Sequence, residues 1–212
     1  MISSFIRHRL AGFLGGLLVL AMLAAPSAHA ETAAEIVEKA NTYFNNLTTA
    51  RARFAQVDHQ GGVVQGTMTI ARPGQLKFDY DPPVEVMIVA GAGWVHFLDY
   101  EVGNTTSLPV GQTPLGLLVQ DHLNLEKDAR ILTAMRVGDV YQIALQAKDD
   151  EEEGVLTLEF SADPFVLQGW RVTDALDQQT RVVLRSLRVN IKLPFDAFLY
   201  EDPEAESEQT GN

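Results

Sequence analysis

The sequence predicts a mainly-β domain, one long antiparallel sheet that curls and carries two helices over its hollow face. Three observations predict it. Short runs of alternating apolar and polar residues recur about ten residues apart, as at Met68 and Ile70 or at Leu76, Phe78 and Tyr80. Turn signals such as Arg72-Pro73-Gly74 and Gly91-Ala92-Gly93 separate them. Apolar residues at helical spacing are confined to two stretches. A sheet of eight or more strands tends to curl or close, and its concave face is then filled, covered or left as a cavity.

Residues 1–30 read as a cleaved signal peptide. Arg7 and Arg9 supply a basic start, 10–25 an apolar run, Pro26 a break and Ala28-His29-Ala30 a cleavage pattern. The apolar run is shorter than the ~20 residues of a bilayer span, which disfavours an uncleaved anchor. One domain over 31–200 is expected to follow, and then an acidic, disordered tail at 201–212.

Thr32-Ala33-Ala34-Glu35 fits a capping box, and Ile36, Ala40, Tyr43 and Leu47 recur at helical spacing, predicting a helix over 33–47. Strands follow at 67–70, 75–80, 85–90 and 94–99, with Asp81-Pro82-Pro83 as a stop. In 113–123, Thr113 suits a cap and Pro114 a first helical position. Leu115, Leu118, Val119 and Leu123 line one side, so a second helix is expected there. Strands resume at 131–137, 141–148, 154–160, 170–175 and 180–193, and 195–198 forms a last short element.

The chain has a formal charge of -12 and no cysteine. Absent cysteine excludes disulfides, thiolate metal sites and a thiol nucleophile. Without the two signal arginines, 14 basic residues face 28 acids. Ten of those acids lie at 149–153 and among Glu201, Asp202, Glu204, Glu206 and Glu208. Charge so dense stays solvated, so the first run reads as a loop or hairpin tip. The acid excess argues against nucleic acid and against an anionic membrane, both of which need clustered Lys and Arg.

Catalytic signatures are sparse. His59, His96 and His122 sit in no ligand-spaced motif, and Asp121-His122 reads as a solvated helix end. No GxSxG, GxxxxGK or GxGxxG occurs. Abundant carboxylates are the sole support for a hydrolase, and in a chain with 28 acids a pair such as Asp99 and Glu101 means little; replacing these two and His96 would test it. No catalytic residue, metal or cofactor is assigned. What remains is apolar surface around Phe54, Leu76, Phe78, Tyr80, Trp94 and Phe97. Arg72 stands alone in its turn, and a guanidinium with five donors suits carbonyls at a helix end.

Phe54-Ala55-Gln56, then 66–80 with Arg72-Pro73 inside it, 88–94, Thr113-Pro114-Leu115 and 195–203 follow in an order that resembles the LolA family of lipoprotein carriers. The likeness runs from about residue 35 to residue 203. The resemblance implies a strongly curved open antiparallel sheet, an incomplete β-barrel, with lid helices over a hydrophobic cavity. It implies a soluble, monomeric, non-enzymatic periplasmic carrier. Such a carrier takes acylated lipoproteins released from the inner membrane by the LolCDE ABC transporter. It delivers them to the outer membrane, to the receptor LolB where that exists. No Cys follows the apolar run, which fits the soluble carrier and disfavours the lipid-anchored LolB of the same fold. Carried over by position, Arg72 is the lid latch. Leu76, Phe78, Tyr80, Ile88, Trp94, Leu115 and Leu118 become the acyl-binding cavity, with Leu76 and Phe78 where the family has rim aromatics. The alternative is a module of the same fold for another lipid or acylated ligand, in glycolipid transport or envelope-stress sensing.

Overall fold

The structure, a computed structural model, describes residues 31–114, 116–148 and 154–204. The expected signal peptide, Leu115, the acidic run 149–153 and residues 205–212 lie outside the described residues.

Helix α1 (Ala33–Asn45) starts with the capping box: Thr32 Oγ1 accepts from the Glu35 amide at 3.3 Å, and Glu35 Oε2 accepts from the Thr32 amide at 2.8 Å. Its buried stripe is Ile36, Val37, Ala40, Asn41 and Phe44. Six strands follow: β1 (Thr49–Val57), β2 (Val63–Ala71), β3 (Gln75–Tyr80), β4 (Val86–Gly91), β5 (Trp94–Asp99) and β6 (Asn104–Pro109). Two single-turn helices, α2 (Gly116–Val119) and α3 (Leu125–Asp128), precede β7 (Arg130–Val137), β8 (Val140–Gln146), β9 (Val155–Ser161), β10 (Leu167–Thr173) and β11 (Gln179–Val189). Among the described residues no helix is long and apolar enough to cross a membrane.

The eleven strands form one antiparallel sheet in the order β6, β5, β4, β3, β2, β1, β11, β10, β9, β8, β7. Two hairpin meanders therefore meet at the β1–β11 pair, and β6 and β7, consecutive in the chain, become opposite edges. Laid flat, ten strand spacings put those edges about 48 Å apart. The connection 110–129 holds a 3-10 turn and both short helices. Compacted in this way, it joins the edges only because the sheet curls, and it crosses the hollow face. Register makes that face apolar. Ala50, Ile70, Leu76, Ala90 and Val95 pair in one row, and Phe78, Ile88 and Phe97 continue the next. From the other meander Leu156, Leu158, Trp170 and Val182 face inward. Gly66 lies opposite Phe54, and a Cβ there would come within 2.6 Å of the Phe54 ring. The bare backbone lets that ring pack edge-on against Phe78 and Tyr80, at 5.2 and 5.1 Å.

Several expectations change. Strands β1 and β6 and helix α3 were not anticipated. The helix expected over 113–123 shrinks to the single turn α2. Gly116 sits so close to the preceding turn that a Cβ would lie 2.6 Å from the Val110 carbonyl oxygen. Beyond it, Asn124 caps a new turn by accepting from the Lys127 amide at 3.0 Å. The last strand stops at Val189, where Asn190 takes a φ of 53° and its side chain accepts from the Thr48 amide at 2.9 Å. The 195–198 element is a turn within a strap along the outer face. Lys77 Nζ donates to the Leu199 carbonyl at 3.1 Å and Tyr100 Oη to the Glu201 carbonyl at 2.8 Å. Residues 201–204, expected to be disordered, are docked on edge strand β6: Glu204 accepts from the Thr105 amide at 3.0 Å and Asp202 from Thr105 Oγ1 at 2.7 Å.

Candidate functional site

Under the 110–129 connection lies an apolar cavity of about 400 Å3. The first meander contributes Phe78, Tyr80, Ile88, Phe97 and Leu108, and the second Leu156, Leu158, Trp170, Val172 and Val182. Gln112, Thr113, Pro114 and Leu118 form its roof. Trp170 closes on Phe78 edge-on at 6.0 Å. Two polar residues of the wall, Tyr80 and Gln56, pair with each other. Tyr80 Oη donates to Gln56 Oε1 at 2.8 Å, and burial pushes the Tyr80 hydroxyl up to about 12, against the pull of the Gln56 bond. A smaller hollow of about 120 Å3 lies on the other side of the roof, and Thr113, Pro114, Leu156 and Val172 line both. Thr113 and Pro114 thus stand between the two spaces.

The roof is braced from two sides. Asn41 and Asn45, four residues apart on one face of α1, reach it as paired brackets. Asn41 Oδ1 accepts from the Leu125 amide at 2.9 Å, and Asn45 Oδ1 from the Leu123 amide at 2.8 Å. Asn45 Nδ2 also donates to the Leu123 carbonyl at 2.9 Å. From below, Arg72 in the β2–β3 turn donates from Nε to the Gln120 carbonyl at 2.7 Å, and from Nη1 to the Phe44 carbonyl in the last turn of α1. A cation there also complements the helix dipole. The Gly74 amide adds a bond to the Val119 carbonyl at 2.7 Å. Burial lowers the Arg72 pKa and Asp121 opposes that shift, but an arginine so placed stays charged at neutral pH. One turn between two strands therefore holds both α1 and the roof.

Phe78, Tyr80, Ile88 and Leu118 line the cavity. Leu76 faces inward but is fully buried in the core, off the cavity wall and away from any rim. Trp94 is a correction. Its register partners Gly91 and Pro109 put it on the outer face, where it is 47 % exposed, because the inward positions of β5 are Val95 and Phe97. Leu115 lies outside the described residues. The second-meander wall was missed, since an inward Leu or Val on a patterned strand reads as ordinary core. His96 bonds Ser107 Oγ at 2.8 Å on the outer face, apart from this cavity. Among the described residues no three His, Asp or Glu side chains gather closely enough to hold a metal ion.

The family model described as "Outer membrane lipoprotein carrier protein LolA" matches residues 45–201. An outer-membrane lipoprotein carrier protein of Methylococcus capsulatus is 29% identical over 171 residues, 76% of this chain and 81% of that one. The corresponding protein of Ralstonia nicotianae is 28% identical over 201 residues, 87% of this chain and 91% of that one. An uncharacterized conserved protein from Thermus thermophilus, solved by crystallography, superposes with a TM-score of 0.50 at 10% identity, over 81% of this chain and 95% of that one. At that identity the likeness is one of fold.

Proposed function

The chain belongs to the LolA family, and on that premise we propose that it is a periplasmic carrier for acylated lipoproteins. It receives them from an inner-membrane ABC transporter of the LolCDE kind and delivers them to the outer membrane, to LolB where that receptor exists. The observation that carries this reading is the apolar cavity beneath a roof held by Arg72.

Moving acyl chains through water is the physical problem. Each buried CH₂ is worth about 0.8 kcal/mol, so a 16-carbon chain exposed to water costs roughly 12 kcal/mol. An apolar cavity of about 150 Å3 accepts benzene, six carbons. On that scale the cavity of about 400 Å3 holds on the order of sixteen carbons, one long chain. A cargo with several chains needs more room, and lifting the roof, with Pro114, Leu118 and Gln120, supplies it. Lifting the roof breaks the Arg72 bond to the Gln120 carbonyl, so the empty, closed state is favoured by that amount. Arg72 thereby weakens net binding and promotes release. Phe78, Tyr80, Ile88 and Leu118 would contact the chains.

The test is to incubate the purified protein with inner-membrane preparations containing lipoproteins and ask what enters the soluble fraction. Lipoproteins bound to the protein are expected. Recovery of a glycolipid in their place, or of no acylated ligand, overturns the reading.

A further inference from the structure

A second surface, on the opposite side of the sheet, carries its own signal. Net charge argues against an anionic membrane as partner, but what matters is where the cations lie. Six of the nine arginines beyond residue 30 are on β1, β10 and β11. Register puts two pairs directly opposite each other, Arg51 with Arg188 and Arg53 with Arg185. Like charges so placed destabilise a sheet. The fold neutralises such a pair elsewhere. Arg171 also faces Arg181, and the buried Glu159 bridges them at 2.9 and 2.8 Å. Arg53 is bound by Asp81. Among the described residues, Arg51, Arg185 and Arg188 have neither an ion pair nor a side-chain hydrogen bond. Asp79 and Asp196 share a shallow pocket with Arg51 and Lys77, which leaves Arg185, Arg188 and the exposed Lys192 in excess.

The strap adds the apolar half. Its turn is set by bonds from Ala197 N to the Pro194 carbonyl at 3.2 Å and from Leu199 N to the Asp196 carbonyl at 3.1 Å. It is anchored by Thr49 Oγ1 on the Ile191 carbonyl at 2.6 Å. Pro194 and Ala197 line the pocket that holds Arg51. Between them Phe195 stands 97 % exposed, and Leu199 is 66 % exposed.

We propose that this outer face, Arg185, Arg188 and Lys192 with Phe195 and Leu199, docks on a bilayer containing anionic lipids. A segment of acids alone would satisfy the arginines but leave Phe195 and Leu199 in water. A lipid surface satisfies both, with guanidinium on phosphate and the apolar side chains at the acyl boundary. The acids of 201–204 sit at the far edge strand β6. Charges separated there by more than the ~8 Å Debye length are largely screened at physiological salt. This docking does not depend on what the cavity binds. It positions the carrier at a membrane by a face other than the one that takes cargo.

Flotation with vesicles tests it, using phosphatidylcholine alone against phosphatidylcholine mixed with phosphatidylglycerol. Binding is expected only to the mixed vesicles, and it should fall as salt is raised. Arg185→Gln and Arg188→Gln should each weaken it about fivefold, and Phe195→Ser at least about tenfold. Thermal melting should not fall, because all three side chains are exposed and removing one of two facing arginines relieves repulsion. Uptake of a fluorescent fatty acid, which reads the cavity, should also be unchanged. Equal binding to both vesicle types, or binding indifferent to these substitutions, overturns the proposal. So does a crosslink from position 195 to a protein partner without vesicle binding, which would give the face to an acidic protein.

Discussion

The guanidinium of Arg72 sits on the carbonyl oxygen of Gln120, with Nε at 2.7 Å, and the same side chain reaches the Phe44 carbonyl. Gln120 follows the single turn α2 of the roof, and Phe44 lies in the last turn of α1. These carbonyls lie at or beyond helix ends, where backbone acceptors need a partner. A hydrogen bond to a charged donor is worth about 1.5–3 kcal/mol net. That is small beside an acyl chain's burial and large enough to bias an opening equilibrium.

Arg72→Leu should therefore load cargo but retain it. Losing the bonds shifts the closed state by on the order of a hundredfold, so transfer to acceptor membranes should slow while uptake from donor membranes persists. Measuring both steps with one radiolabelled lipoprotein checks this. A variant that folds yet fails to load would refute the latch.

Filling the cavity should block loading directly. Ile88 is only half-buried because it faces open space. Ile88→Trp adds volume into that space and not into packed core, so its cost should stay at the low end of the about 1–3 kcal/mol of an overpacked core. Displacement of a fluorescent fatty acid should show affinity reduced at least tenfold. Unchanged affinity would place the ligand elsewhere.

Much of this architecture was legible in the sequence because strand period and turn chemistry agree. Met68, Ile70, Leu76 and Phe78 alternate cleanly, and all four are buried. Strand β1 was not legible as a strand. It alternates Ala50 and Ala52 with Arg51 and Arg53, and two alanines signal little burial until a sheet closes over them. The roof misled for the opposite reason. Leu118, Val119 and Leu123 are all buried, but a loop folded over a core buries apolar residues without a helical period. The arginine stripe was invisible, since 51 and 53 meet 185 and 188 only through the one long-range strand pair, β1 with β11.

Glu159 should be the most sensitive charged position of the outer face. It is 4 % exposed, bonded to Arg171 and Arg181, which lie directly opposite each other. Glu159→Ala leaves two facing cations without their carboxylate. Breaking a buried pair costs 3–5 kcal/mol, but Arg171 and Arg181 are partly exposed, so about 2 kcal/mol is expected. Denaturant unfolding measures it. A loss no larger than that of Arg51→Ala, which removes an unpaired arginine, would show that the bridge contributes nothing.

Tyr80 gives the fold an alkaline limit. Burial in the cavity wall raises its hydroxyl to about 12, against about 10 for an unfolded tyrosine. Below pH 10 both states keep the proton and the stability is whole. Between 10 and 12 the unfolded chain loses its proton first, so unfolding becomes more favourable as pH rises. The loss reaches on the order of 2–3 kcal/mol by the upper end. Tyr43, also raised by burial, adds a slope of the same sign. Tyr80→Phe should flatten the Tyr80 part of the curve between pH 10 and 12. At neutral pH it should cost about 1 kcal/mol, for the Gln56 bond at 2.8 Å. Urea midpoints for both proteins across this range separate the two effects, and parallel curves would mean that the hydroxyl titrates in contact with solvent.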